Sequence, residues 1–329
     1  MTDCKSLREV VLDALQLHAD NPPRRLEFPP ARRRLVVASG NALPAGKVIF
    51  QDESCVFANE GDYLQVLRRT PDIDAAVVIS ASGEKDAPKI VTALKPLLPT
   101  CLLTCNGKSS AAQAAEQSPA GQVFVTQRSE GPNEEPITYN TSTYMGMMLA
   151  KTGEDARAIR EHLLSKVEGN LPDFRQYQAF FLLVKPEFDM IREMFITKFD
   201  ELFGPKLLGR CYTWEQTAHA KTVVPWAEEL FLSFDVPNED FGFKESRWPV
   251  PLPSKAGFVA MMATGYYVIG RIQEAFPPWF KKNREQYKRF QKELFARREK
   301  ASRNARVQRA KPTANTSPSA RRIPANRKR

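Results

Sequence analysis

The residues with the clearest chemistry lie in one short turn. An apolar run, residues 76–79, leads directly into Ser80, Ser82 and Gly83, and a helical pattern follows. Such a turn gathers hydroxyl groups, glycine backbone and the amide groups of a helix N-terminus, and these groups hold phosphate. The turn therefore predicts binding of a phosphorylated small molecule, although a serine that merely caps a helix gives the same pattern.

Two more polar segments follow predicted strands. Residues 39–42 follow the first strand, and residues 138–144 follow the fifth. The carboxyl ends of parallel strands meet where open α/β sheets bind ligands, so we expect the three loops to converge on one crevice. The predicted phosphate-binding residues are Gly40, Asn41, Ser80, Ser82, Gly83, Lys85, Thr141, Ser142 and Thr143.

The segments that must position these residues are continuous apolar runs, with helical patterns between most of them. The runs predict a three-layer α/β/α domain with a five-stranded parallel sheet, because only strands covered on both faces are apolar throughout. Two later runs, residues 179–184 and 230–234, predict a second, shortened α/β unit, and residues 237–253 are expected to form a loop. The predicted organisation is an N-terminal helix and arm (1–34), a first domain (35–151), a linker helix (152–177), a second, degenerate domain (178–280), and a basic helix with a disordered tail (281–329).

Charge is distributed unevenly along the 329 residues. The chain has a net charge of +10, from 48 Lys and Arg against 38 Asp and Glu. Residues 281–329 hold 18 of the basic residues and three Glu, which leaves 30 basic and 35 acidic residues, a net of −5, for the body. This distribution argues against nucleic-acid binding by the whole protein and leaves weak polyanion binding by the tail open.

Apolar run length, the N-terminal residues and the cysteine spacing narrow the class of protein further. The longest uncharged apolar run, residues 257–270, is too short to span a bilayer, and the N-terminus shows no signal segment, so we expect a cytoplasmic protein and no membrane partner. The five cysteines match no common zinc spacing and are interpreted as reduced thiols. No metal site and no cofactor are predicted.

The segment 79–86 resembles the strand–turn–helix signature of the SIS (sugar isomerase) domain family, in which a Ser-x-Ser-Gly-x-Thr loop cradles the phosphate of a phosphosugar. Residues 138–144 resemble the family's second element, and residues 39–42 occupy the place of its first glycine-rich turn. Lys85 stands where the family usually has threonine, and Asn41-Ala42 replaces its usual serine. The two-unit layout resembles the double-SIS type, as in bifunctional phosphoglucose/phosphomannose isomerases and the isomerase half of glucosamine-6-phosphate synthase.

This resemblance implies an aldose–ketose sugar-phosphate isomerase whose catalytic groups come from the second domain. It assigns Glu201 as the proton-transfer base, His219 to ring opening, and Glu215 as an alternative base or orienting partner. The i,i+4 spacing of Glu215 and His219 is also typical of a surface helix pair. A non-catalytic sugar-phosphate sensor stays open as the alternative, and the family's habit of pairing implies a homodimer.

Overall fold

Two parallel sheets form the frame of the protein. The computed structural model describes residues 5–129, 140–219, 224–276 and 279–310. Both sheets lie in one compact unit, Met1–Lys281, and Lys282–Arg329 form a second unit. The division of the first unit into residues 35–151, 152–177 and 178–280 stays a prediction.

The first sheet has the five predicted strands, paired in parallel in the order β2-β1-β3-β4-β5. The inner strands β1 and β4 are buried along their whole length, as continuous apolar runs require. Since β1 and β3 are neighbours while the chain leaves them toward opposite edges, the topological switch point lies between them. The strands are β1 (Arg34–Ala38), β2 (Cys55–Ala58), β3 (Ala75–Ile79), β4 (Thr100–Thr104) and β5 (Gln122–Val125).

Helices cover both faces of this sheet, which confirms the predicted three layers. One face packs against α3 (Tyr63–Arg69), α4 (Ala87–Leu94) and α5 (Ser110–Glu116). On the other face, α2 (Ala42–Ile49) contacts β1 and β3, and Gly46 in α2 has room for no side chain beside Ile79 and Val36. Behind α2 lie α6 (Thr141–Thr152) and α1 (Leu7–Asp20), whose first turn is closed by a capping box from Ser6.

The second sheet repeats the first with one strand fewer. Its order is β7-β6-β8-β9, all parallel, which matches the first four strands of the first sheet. This confirms the predicted shortened unit. The strands are β6 (Ala179–Val184), β7 (Leu208–Thr213), β8 (Glu229–Phe234) and β9 (Arg247–Val250).

The loop expected over residues 237–253 is wrong in part, because β9 lies within it. Pro249 argues against a central strand, but β9 is at the sheet edge, where proline is tolerated. In the crossovers, α8 (Arg192–Phe203) lies between β6 and β7, and α9 (Trp214–Ala218) lies between β7 and β8, whereas α7 (Ala156–His162) precedes β6.

One helix joins the two halves. α10 (Phe258–Ala275) contacts α1, α6 and α8, and most of its side chains are buried. Despite this apolar character, no helix within the described ranges is both long and apolar enough to cross a membrane.

The basic helix at the C-terminus is longer than predicted. The composition predicts a helix over residues 281–296 and disorder from about Arg297, whereas α11 runs from Trp279 to Ala310. The composition there cannot build a core, yet Arg, Lys, Glu, Gln and Ala are all good helix formers. The rest of the predicted tail, residues 311–329, lies outside the described residues.

Candidate functional site

The turn after β3 is shaped by its own serines. Gly83 donates its amide to Ser80 Oγ at 3.2 Å, and Glu84 donates its amide to Ser82 Oγ at 3.3 Å. Each hydroxyl accepts in these bonds and keeps its hydrogen to donate. The helix starts later than the sequence predicts: Lys85 adopts a left-handed conformation (φ +59°), and α4 begins only at Ala87. The turn is therefore a seven-residue loop, and Ser82 and Lys85 are exposed on it.

The end of β4 and the start of α5 hold this turn in place. Thr104 Oγ1 donates to the Ala81 carbonyl at 3.0 Å, and the Ala111 amide donates to the Gly83 carbonyl at 3.0 Å. Gly83 itself has φ +66°, and a Cβ there would lie 2.1 Å from Ser109 Oγ. Thr104 and Ser109 were missed as site residues, although Thr104 ends a predicted strand and Ser109 follows it five residues later.

The turn after β1 is the second part of the site. Gly40 has φ +53°, and a Cβ built on it would meet nothing within 4 Å, so open space lies beside the backbone. Asn41 keeps only 8% of its surface exposed, and its Oδ1 has no hydrogen-bond partner among the described residues. Ser39 donates its hydroxyl to Glu60. This loop and the turn after β3 sit on the two strands that flank the switch point.

The third predicted segment is not open to solvent. Thr141, Ser142 and Thr143 form the first turn of α6 and are fully buried. Ser142 Oγ accepts the Ser129 amide at 3.0 Å, and the Ser142 carbonyl lies 2.9 Å from Nε2 of His18 on α1. The preceding residues 138–139 lie outside the described residues.

Glu201 lies on α8, as predicted, beside a buried cation. Lys198 has no exposed surface and donates to Glu201 Oε2 at 2.6 Å, and its Nζ lies 5.5 Å from the ring centre of Tyr266 on α10. Burial raises the pKa of Glu201, while the charge and the hydrogen bond of Lys198 oppose that shift. The carboxylate keeps 25% of its surface exposed, so a proton can reach it.

Glu215 and His219 lie elsewhere on the second sheet. Both are exposed, on and just after the short helix α9 that follows β7. Arg192, at the start of α8, donates to Gln216 Oε1 of α9 at 3.1 Å, which places the start of α8 near the carboxyl end of β7.

The other end of α8 lies at the opposite end of that strand. Gly209, the second residue of β7, would place a Cβ 2.0 Å from the Phe199 ring, so the two segments touch there. Glu201 lies nine residues after Arg192, about 14 Å along the helix axis. One chain therefore does not bring Glu201 together with Glu215 and His219. The adjoining residues 220–221 lie outside the described residues.

The second sheet has no counterpart of the serine turn. At its switch point, Lys185 follows β6 and Asp235 follows β8, and the two form an ion pair. Side chains, rather than open backbone, occupy the equivalent position.

Comparison with known proteins finds structures of similar fold but no family model and no curated protein of similar sequence. No protein-family model matches the sequence, and no curated protein matches it. Solved structures do share its architecture, among them the following three. A candidate phosphosugar isomerase from Clostridium difficile 630 aligns with a TM-score of 0.57 and 10% identity, covering 84% of this chain and 96% of the other.

Two further solved structures align over a similar share of this chain. Tagatose-6-phosphate ketose/aldose isomerase from Escherichia coli aligns with a TM-score of 0.53 and 13% identity, covering 82% of this chain and 87% of the other. A candidate phosphosugar isomerase from Bacillus subtilis gives 0.51 and 11%, covering 82% and 93%. At such low identity these likenesses concern the fold alone. The chain has the α/β fold of the phosphosugar isomerase structures, the SIS-like fold that its sequence predicts.

Proposed function

We propose that this protein binds a phosphorylated sugar at the switch point of its first sheet and acts as an aldose–ketose sugar-phosphate isomerase. One observation carries the proposal. The loops after β1 and β3, which flank the switch point, pair an open glycine backbone at Gly40 with the serine turn at residues 80–86. This is the position at which open α/β sheets bind ligands. The solved phosphosugar isomerases of the same fold add support.

The phosphate is assigned to the turn after β3. Ser80 and Ser82 can each donate a hydroxyl hydrogen while accepting an amide from the loop. Lys85 adds a cation at the exposed end of the turn, where it can contact phosphate as a point charge. The sugar would then extend toward Gly40 and Asn41. Thr141, Ser142 and Thr143 are buried at the start of α6, so they would contact the phosphosugar only after that turn becomes accessible.

Isomerisation needs a base that moves a proton between C2 and C1. We assign this role to Glu201, because burial raises the pKa of its carboxyl group and a raised pKa makes the carboxylate a better proton acceptor. Glu201 would take the C2 proton to give an enediolate, a proton would pass from O2 to O1, and Glu201 would return its proton to C1. Lys198 keeps the carboxylate ionised between these steps.

His219 and Glu215 can act on the sugar beside Glu201 only if they come from the other chain of a dimer. They lie too far along the second sheet from Glu201 to touch the same sugar in one chain. A homodimer in which each chain lends His219 to the site of its partner meets this requirement. A cytoplasmic location belongs to the same proposal.

A sensor that binds the sugar without converting it is the second candidate. The observation that favours it is the separation of Glu201 from the exposed Glu215 and His219. In a sensor, the Lys198–Glu201 pair would only stabilise the packing of α8 on α10.

Binding is tested with the full chain by thermal shift against hexose, pentose and amino-sugar phosphates, with unphosphorylated sugars and inorganic phosphate as controls. We expect stabilisation by one class of phosphosugar, lost in the double variant Ser80→Ala, Ser82→Ala and kept in the exposed-loop control Ser254→Ala. If no phosphosugar shifts the melting temperature, the turn after β3 does not bind phosphate and only caps a helix.

Catalysis is tested with the stabilising ligand by exchange of its C2 proton for deuterium. Glu201→Gln should abolish exchange while ligand affinity stays within about twofold. If His219 acts across a dimer, mixing Glu201→Gln with His219→Ala should restore about a quarter of the activity, because half of the dimers are mixed and each holds one intact site. Binding without exchange in the unmodified protein would identify a sensor.

A further inference from the structure

The second compact unit presents an exposed surface that is rich in cations. From Lys282 onward the chain has 17 Lys and Arg against three Glu, a net charge of +14. Between residues 282 and 300 the unit is helical. The cations with described, exposed side chains in this stretch are Lys282, Lys288, Arg289, Lys292, Arg297 and Lys300. Two of these cations form ion pairs, Lys288 with Glu285 and Arg297 with Glu293, and both pairs are exposed and of little energetic weight.

Large apolar side chains lie among these cations. The exposed fraction is 59% for Phe290 and 41% for Leu294. Gln286, Arg289, Phe290 and Glu293 line one shallow depression on the helix surface. An aromatic ring therefore shares a small concave surface with a guanidinium group, which suits a planar, stacked ligand, while the Glu293 carboxylate on the same surface pairs with Arg297.

The apolar stripe is too short for a helix that lies in a membrane surface. Tyr287, Phe290 and Leu294 recur at helical spacing, but the next positions on that side are Arg297 and Arg298. A helix bound at a bilayer keeps an apolar face along its length. Here the cations continue on the side where the apolar residues stop.

We propose that this unit binds single-stranded nucleic acid. The cations of α11 contact successive phosphates, and Phe290 stacks on an unpaired base. Single strands suit the surface because their bases are free to stack on an exposed ring, whereas the bases of a duplex are stacked on each other. The proposal concerns the described residues between Lys282 and Lys300 and does not depend on the phosphosugar site.

The test measures binding of the full chain to a fluorescent single strand of about 20 nucleotides, a length that exceeds one ordinary binding site, over a series of salt concentrations. Removing three phosphate contacts should reduce the slope of log K against log salt by about 2, since each contact on a single strand contributes about 0.7. We expect this for Lys288→Gln, Arg289→Gln, Lys292→Gln combined. The matched control, Lys166→Gln, Lys244→Gln, Lys255→Gln, changes three exposed lysines of the other unit and should leave the slope unchanged.

The stacking part is tested by Phe290→Ala against Leu294→Ala. Loss of one base–aromatic stack should weaken single-strand binding at least about fivefold, whereas loss of the leucine should have little effect. The competing arms are a duplex of the same sequence and vesicles of anionic lipid. Tighter binding to the vesicles, equal losses in the two triple variants, or equal losses for Phe290→Ala and Leu294→Ala would overturn the proposal. Circular dichroism confirms that each variant keeps its helix content.

Discussion

A single carboxylate ties the two halves of the first unit together, and its removal gives a sharp test of the fold. Glu154 follows α6, and it accepts three amide hydrogens from the start of α10: Gly257 at 3.0 Å, Val259 at 2.9 Å and Ala260 at 2.9 Å. Gly257 is packed so closely against this carboxylate that a Cβ would lie 2.6 Å from it. Since the first amides of a helix lack partners within it, Glu154 supplies what α10 cannot.

The loss of unfolding free energy on removing Glu154 can be estimated from two contributions, helix capping and charge. A side chain that caps a helix contributes about 1–2 kcal/mol, and a negative charge at the N-terminus adds about 0.3–1 kcal/mol. With three amides bound, Glu154→Ala should lower the free energy of unfolding by about 2–3 kcal/mol. Glu154→Gln keeps an acceptor oxygen but loses the charge, so we expect about half of that loss.

The measurement is urea denaturation followed by circular dichroism, with amide hydrogen exchange read for residues 257–260. Exchange there should accelerate far more than in β1 or β3. The control is Glu161→Ala, an exposed glutamate on α7, which should cost less than about 0.5 kcal/mol. If Glu154→Ala costs no more than this control, or if exchange at the start of α10 is unchanged, the carboxylate does not hold the helix and the reasoning fails.

Three further outcomes are expected. Gly83→Ala should cost at least about 2 kcal/mol more than Gly153→Ala in urea denaturation, because both glycines have φ +66° but only Gly83 would clash, with Ser109; equal costs would show that the loop gives way. Burial lowers the pKa of His18 below its unfolded value despite its bond to the Ser142 carbonyl, so its contribution to stability is present above the unfolded pKa and is lost as pH falls. The difference in urea midpoint between the unmodified protein and His18→Gln should accordingly shrink from pH 8 to pH 5, and a constant difference would contradict this. Burial raises the pKa of the Cys55 thiol to about 11, so iodoacetamide at pH 8 should modify it much more slowly in the folded protein than in urea, as mass spectrometry would show.

In the second sheet, the strands that the sequence predicts and those that it misses differ in one physical respect. β6 and β8 are covered on both faces, so they are continuous apolar runs that the sequence shows directly. β7 and β9 lie at the edges of the second sheet and are half exposed. Their polar residues, with Gly209 and Pro249, match the pattern of a loop, and only the pairing partner makes them strands.

The site shows the same limit. The serines and the glycine of the turn after β3 could be predicted because their conformational and hydrogen-bonding preferences are local. The clash that fixes Gly83 against Ser109 depends on the register of β3 with β4, and the contact between His18 and Ser142 joins residues 124 positions apart. Likewise, the residue types of Glu201 and His219 suit acid–base work, but only the direction of α8 along β7 reveals that one chain keeps them apart.

The two sheets explain why we propose one sugar site in each chain. Both have the same strand order around their first strand, so both create a switch point where a ligand could bind. In the first sheet the residues at that point are Gly40 and the serine turn, which leave backbone and hydroxyl groups open. In the second, Lys185 and Asp235 reach each other across the gap and neutralise the charges that a phosphate would need. The topology therefore creates two possible sites, and the residues after the strands keep one of them open.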